Sequence, residues 1–136
     1  MALVKRIYAQ HGVSASLYRA LGVTNLTATD LDGDGNYEMI GSFTLATKAK
    51  FERDLFLIAK PQGAAMRAEF TNFQAYKPPA EGFLSSIDFV DQLDLDGDGM
   101  GEVFAVQGGF DAYGYVIYQK RAGRWLKVYS GMGDAC

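Results

Sequence analysis

Eight short runs rich in β-branched, aliphatic and aromatic residues divide this chain, most of them bounded by Gly, Pro, Asn or Asp. They span 26–30, 37–45, 53–60 and 66–70, then 87–93, 102–107, 113–120 and 124–129. Runs of this length and composition, joined by tight Gly-containing connections, are strand and hairpin signals. They predict an all-β fold of two four-stranded antiparallel sheets. The third strand of each set is mostly apolar (Leu55 to Ala59, Tyr115 to Tyr118). That predicts burial on both faces, as where sheets stack on sheets.

The N-terminus departs from this plan. Leu3-Val4-Lys5-Arg6-Ile7-Tyr8 is similar to Trp125-Leu126-Lys127-Val128-Tyr129, the last strand of a set. It reads as an extra N-terminal strand whose three companions are missing. Residues 13–21 then form a bridge with room for a helical turn, and residues 71–82, with Lys77-Pro78-Pro79, bridge the two sets. The expected organisation is one domain, 1–136. It divides into an orphan outer strand and linker (1–23), a first unit with its linker (24–82), a second unit (83–131) and a tail (132–136).

Within both units the first two strands are joined by almost the same loop. Asp30-Leu31-Asp32-Gly33-Asp34-Gly35-Asn36-Tyr37-Glu38 recurs 64 residues on as Asp94-Leu95-Asp96-Gly97-Asp98-Gly99-Met100-Gly101-Glu102. Acids at loop positions 1, 3, 5 and 9 can converge on one hard cation, with glycines at 4 and 6 allowing the sharp turn. Ca²⁺ takes about six to eight oxygen ligands in a tolerant geometry, whereas Mg²⁺ demands a near-ideal octahedron. Zn²⁺ favours Cys or His, and neither loop has one. The expected ligands are Asp30, Asp32, Asp34 and Glu38 in one loop and Asp94, Asp96, Asp98 and Glu102 in the other, with the carbonyls of Asn36 and Met100. Two calcium ions per chain are expected. An EF-hand is excluded: its loop needs Glu at position 12, and that position holds Gly41 and Ala105.

Charge follows from these loops. Eight of the sixteen acids lie in them, leaving eight against thirteen Lys and Arg elsewhere, so the net charge of −3 belongs largely to the candidate metal sites. No basic run is dense enough for a nucleic-acid surface, and no apolar stretch is long enough to span a membrane. The N-terminal residues lack the apolar segment of a signal peptide. Cys136 is the single cysteine, so neither an intrachain disulfide nor a cysteine metal cluster can form.

Four-stranded units with D-x-D-G-D-G-x-x-E between their first two strands resemble the FG-GAP/VCBS repeats, over about residues 24–131. The resemblance implies blades of a calcium-binding β-propeller, nearer the bacterial branch than the integrin α-head. It also implies an extracellular or cell-surface setting. Propellers use about four to eight blades, so two blades and a spare strand are an incomplete ring. Three outcomes fit: a piece of a longer protein, a homo-oligomer that completes the ring, or a stack of two sheets. The extra strand favours the first two, and a dimer built through Leu3 to Tyr8 and the outer sheet faces is expected.

Function divides three ways at this stage. A calcium-stabilised binding or scaffold module uses the metal to close the loops and offset carboxylate repulsion. A calcium-dependent hydrolase acting on phosphoesters or sugar acids would need an open metal position, with Asp88, Asp91 and Asp111 as additional carboxylates. No G-x-S-x-G frames a serine, and His11 reads as a surface residue. A recognition module for protein or carbohydrate would use Tyr113, Tyr115, Tyr118 and Trp125 as stacking surfaces.

Overall fold

Eight strands assemble as two antiparallel meanders in which spatial order follows chain order. The computed structural model describes residues 1–47, 52–76, 84–109 and 113–132. The first sheet contains β1 (Leu21–Thr29), β2 (Glu38–Ala46), β3 (Glu52–Gln62) and β4 (Ala65–Tyr76). The second contains β5 (Leu84–Leu93), β6 (Glu102–Gly109), β7 (Tyr113–Arg121) and β8 (Arg124–Met132). All eight expected strands are present, several longer than their apolar runs. The bridging Pro-Pro segment, Asp111 and Cys136 lie outside the described residues.

The N-terminal strand is not formed. Ala2–Gln10 is an α-helix, α1, followed by a 3-10 segment at Ala15–Ala20. The physical reason lies in the period. In a strand, Leu3, Lys5 and Ile7 would share one face and Val4, Arg6 and Tyr8 the other, so both faces would mix charge with apolar surface. A helix places Leu3, Val4, Ile7 and Tyr8 on one stripe and leaves Lys5 and Arg6 in water. Gly12 at φ 75° ends it, and its N–H donates to the Ala9 carbonyl at 3.0 Å.

Helix α1 lies on one face of the first sheet. Its four buried residues pack with Val13, Phe43, Leu45, Leu55, Leu57 and Ala59. The Tyr8 hydroxyl donates to the carbonyls of Phe43 (3.1 Å) and Arg53 (3.0 Å), which satisfies a fully buried phenol. An edge strand at Leu3 to Tyr8 therefore does not exist to recruit a second chain, and this part of the expected dimer surface is already buried.

The opposite face of the first sheet, with Ile40, Phe56 and Ile58, meets Ile87, Val103, Ala105, Val116, Tyr118 and Trp125 of the second. The architecture is thus helix on sheet on sheet, with no closed barrel. Strand β3 is buried on both faces, as its sequence predicts. Strand β7 is not: Val116 and Tyr118 are buried, but Tyr115 is 54 % exposed because none of the described residues covers that side. Glu69 ties the sheets at one edge, accepting from Lys120 Nζ (2.5 Å) and Trp125 Nε1 (3.4 Å).

Strand register fixes how the two units correspond. Met39 pairs with Ala59, and its counterpart Val103 pairs with Tyr118. Both third-to-fourth strand ladders then slip at the same place, after Ile58 and after Ile117. Phe56 therefore corresponds to Tyr115, Phe70 to Tyr129, and Lys60 to Gln119. Matching the hairpin turns by sequence aligns Lys60 with Lys120 instead. The register corrects that match by one residue, which in a strand exchanges the two faces.

Candidate metal centre

Each acidic loop joins the first two strands of its sheet, and its own carboxylates fold it. Asp30 Oδ1 accepts from the Asp34 N–H (3.1 Å) and Oδ2 from the Gly35 N–H (3.0 Å). Asp94 repeats both bonds, at 3.1 Å to Asp98 and 3.0 Å to Gly99. These turns require left-handed backbone at Gly35 (φ 82°) and Gly99 (φ 85°), which only glycine adopts cheaply. The ninth residue closes the loop from below: Glu38 Oε2 accepts from the Leu31 N–H (2.9 Å), and Glu102 Oε2 from the Leu95 N–H (2.7 Å).

One oxygen from each of Asp30, Asp32 and Glu38 lies within 4.8 Å of the others, and so do oxygens of Asp94, Asp96 and Glu102. Three of the four expected carboxylates therefore converge in each loop. The fifth-position aspartates each turn one oxygen to their own backbone. Asp34 Oδ1 accepts from the Asn36 N–H and Asp98 Oδ1 from the Met100 N–H, both at 2.8 Å. Asn36 and Met100 thus enter these bonds as donors, and the Met100 side chain packs against the inter-sheet core.

The clusters suit a hard cation. Every side-chain donor is a carboxylate oxygen, and Glu38 and Glu102 are each only 2 % exposed. In the first loop, buried Glu38 Oε1 and Asp32 Oδ1 have no hydrogen-bond partner. Such atoms are costly to bury unless a charge compensates them.

Two residues missed in the sequence complete the sites. Lys60 extends from β3 into the first loop, with Nζ 2.5 Å from Asp32 Oδ2, 2.8 Å from Asp34 Oδ2 and 3.5 Å from Glu38 Oε1. Its hydrogen bond, with help from the Asn36 N–H, lowers the Asp34 carboxyl to about 2. Those same bonds to Asp32 and Asp34 push the Lys60 ammonium above its ordinary range. Gln119 takes the corresponding place in the second loop. Its Nε2 donates to Asp96 Oδ2 (2.7 Å) and Glu102 Oε1 (3.0 Å). The only sequence signal was their offset from the loops, and that offset is readable only once the register is known.

Other candidate chemistry disperses. His11 is exposed and stacks on Phe73 at 3.9 Å. Asp88 accepts from Thr24 Oγ1 (3.3 Å), and Asp91 accepts from the Gln92 N–H (2.8 Å). Neither joins a carboxylate cluster among the described residues. Tyr118 and Trp125 are buried between the sheets, which removes them as stacking surfaces, while Tyr113 and Tyr115 are exposed. No described helix is long and apolar enough to cross a membrane. No family model, curated protein or solved structure matches this chain.

Proposed function

We propose that this chain is a calcium-binding module of stacked, propeller-blade-like sheets in which the metal is structural. The observation that carries the reading is the pair of three-carboxylate clusters, each built the same way at the same hairpin. A cation there would neutralise acids that otherwise repel, and would hold the loop that joins two strands of the core. Ion binding then adds to folding free energy. Sites of this kind suit a calcium-rich, extracellular or cell-surface setting, where affinities of about 10⁻⁴–10⁻³ M suffice.

The face of the second sheet that no described residue covers supports a binding role for the module. Phe104, Val106, Tyr115, Ile117, Leu126 and Tyr129 lie on the side opposite the inter-sheet core. They correspond through the register to the face with which the first sheet receives the second. The occupant we propose is a second copy of this chain, paired face to face across a two-fold axis. Helix α1 covers the far face of the first sheet, so copies cannot continue the stack head to tail. Symmetric pairing of the open faces remains. Leu93, Leu95 and Tyr129, each more than half exposed, supply apolar and amphipathic surface for it.

Native mass spectrometry with and without EGTA tests both statements together. The expected species is a dimer with two calcium ions per chain, and EGTA should also lower the melting temperature. A metal-free species in millimolar calcium, or an unchanged melting temperature after chelation, would refute the structural calcium. A monomer at all concentrations would refute the pairing.

A further inference from the structure

The two loops have nearly the same sequence but different partners. The first receives an ammonium group from Lys60, and the second an amide from Gln119. We propose that Lys60 is a built-in competitor for calcium, so the second loop is the tighter site and the first fills only as Lys60 is displaced. This rests on the calcium reading above and deepens it.

Charge and donor type set the two loops apart. Each loop carries four acids. Lys60 cancels one of those charges and stands within 3.5 Å of three carboxylates, where a divalent ion would be repelled. Ligand charge count is one of the main quantities that sets calcium affinity in oxygen sites. Gln119 adds no charge, and its amide has two different ends. Its Nε2 faces Asp96 and Glu102, while Arg121 Nε donates to its Oε1 at 2.5 Å. Releasing Arg121 and rotating the amide would bring an oxygen toward an arriving cation, and side-chain carbonyl oxygen is an accepted calcium ligand. An ammonium has only N–H to offer.

Lys60 does not satisfy the first loop completely. Glu38 Oε1 is buried without a hydrogen bond, 3.5 Å from Lys60 Nζ, and Asp32 Oδ1 has no partner either. The first loop therefore keeps unmet demand for a cation and remains a site, but a weaker one. Without calcium, Lys60 supplies part of the charge balance there. Among the described residues the second loop has Gln119 in that place, with the Arg121 guanidinium behind it rather than on the carboxylates.

A calcium titration of the isotope-labelled full chain, followed by NMR, separates the loops. The Gly35 amide reports on the first, since it donates to Asp30, and the Gly99 amide on the second, since it donates to Asp94. Gly99 is expected to respond at calcium concentrations at least about tenfold lower than Gly35, following the charge-count dependence of calcium affinity. Lys60→Gln should bring the two midpoints within about threefold, and Gln119→Lys should weaken the response of Gly99. Lys60→Met, which removes the charge but not the stem, serves if Lys60→Gln folds poorly. Equal midpoints in the wild-type protein, or Lys60 variants that leave the Gly35 midpoint unmoved, would overturn the competition while leaving calcium binding intact. If neither amide responds at millimolar calcium in any variant, the calcium reading fails and this inference falls with it.

Discussion

Leu31 and Leu95 hold the second position of the two loops, so one substitution can be made twice in nearly the same local sequence. Leu31 is 3 % exposed and lies in the inter-sheet core, while Leu95 is 56 % exposed. The Leu31 carbonyl also accepts from the Gly101 N–H at 2.7 Å, joining the first loop to the second. Leu31→Ala removes three CH₂-sized groups worth about 0.8 kcal/mol each on burial. It also leaves part of a cavity in a packed core, where Leu→Ala changes cost about 2–5 kcal/mol. The expected loss is about 3 kcal/mol. For a chain of this size that lowers the melting temperature by roughly 10 °C. Leu95→Ala should stay within about 0.5 kcal/mol, the range for exposed positions. Urea unfolding followed by circular dichroism, in saturating calcium and at low protein concentration, measures both. With an unchanged m near 2 kcal/mol/M, the midpoint of Leu31→Ala should fall by about 1.5 M. Equal losses at the two positions would mean that the outer face of the second sheet is covered within a single chain. Two neutral substitutions would mean that Leu31 does not seat between the sheets. Either result refutes the stacking. At concentrations where the proposed dimer forms, the cost of Leu95→Ala should grow with protein concentration.

Further outcomes follow from helix α1 and from Lys60. Tyr8→Phe leaves two carbonyl acceptors without their buried hydroxyl donor and should cost about 1–2 kcal/mol in chemical denaturation; a loss near zero would show that the hydroxyl is not seated. Burial, reinforced by the charge of Asp54, pushes the Tyr8 phenol above its ordinary range, so the unfolded chain ionises first and stability falls as pH rises past about 10. Tyr8→Phe should flatten that alkaline limb. In calcium-free protein the Asp34 carboxyl should titrate near 2 by NMR, against an ordinary value of 3.8. The stability it contributes is then present above 3.8 and lost as pH falls toward 2. Lys60→Gln should return it toward 3.8, and an unmoved value would refute the ion pair.

Strand positions and both carboxylate loops were legible in the residues because their signals are local. Runs of β-branched and aromatic side chains, glycines at loop positions 4 and 6, and acids two residues apart act within a few bonds of one another. The helix was legible too, in the 3.6-residue spacing of Leu3, Val4, Ile7 and Tyr8. Its composition, close to that of Trp125 to Tyr129, masks the period. What the chain alone could not supply is which neighbour each residue meets. Phe56 and Tyr115 occupy corresponding positions, yet one is buried between sheets and the other faces solvent. Lys60 and Gln119 became counterparts only through a pairing register set across strands and bulges. Residue order alone carries two repeated units, each with an acidic loop whose carboxylates can gather around a cation. Packing between distant segments gives one loop a cation of its own and closes one outer sheet face with a helix, while no described residue covers the other. Period and spacing belong to the chain, whereas burial, register and charge pairing come from segments distant in sequence.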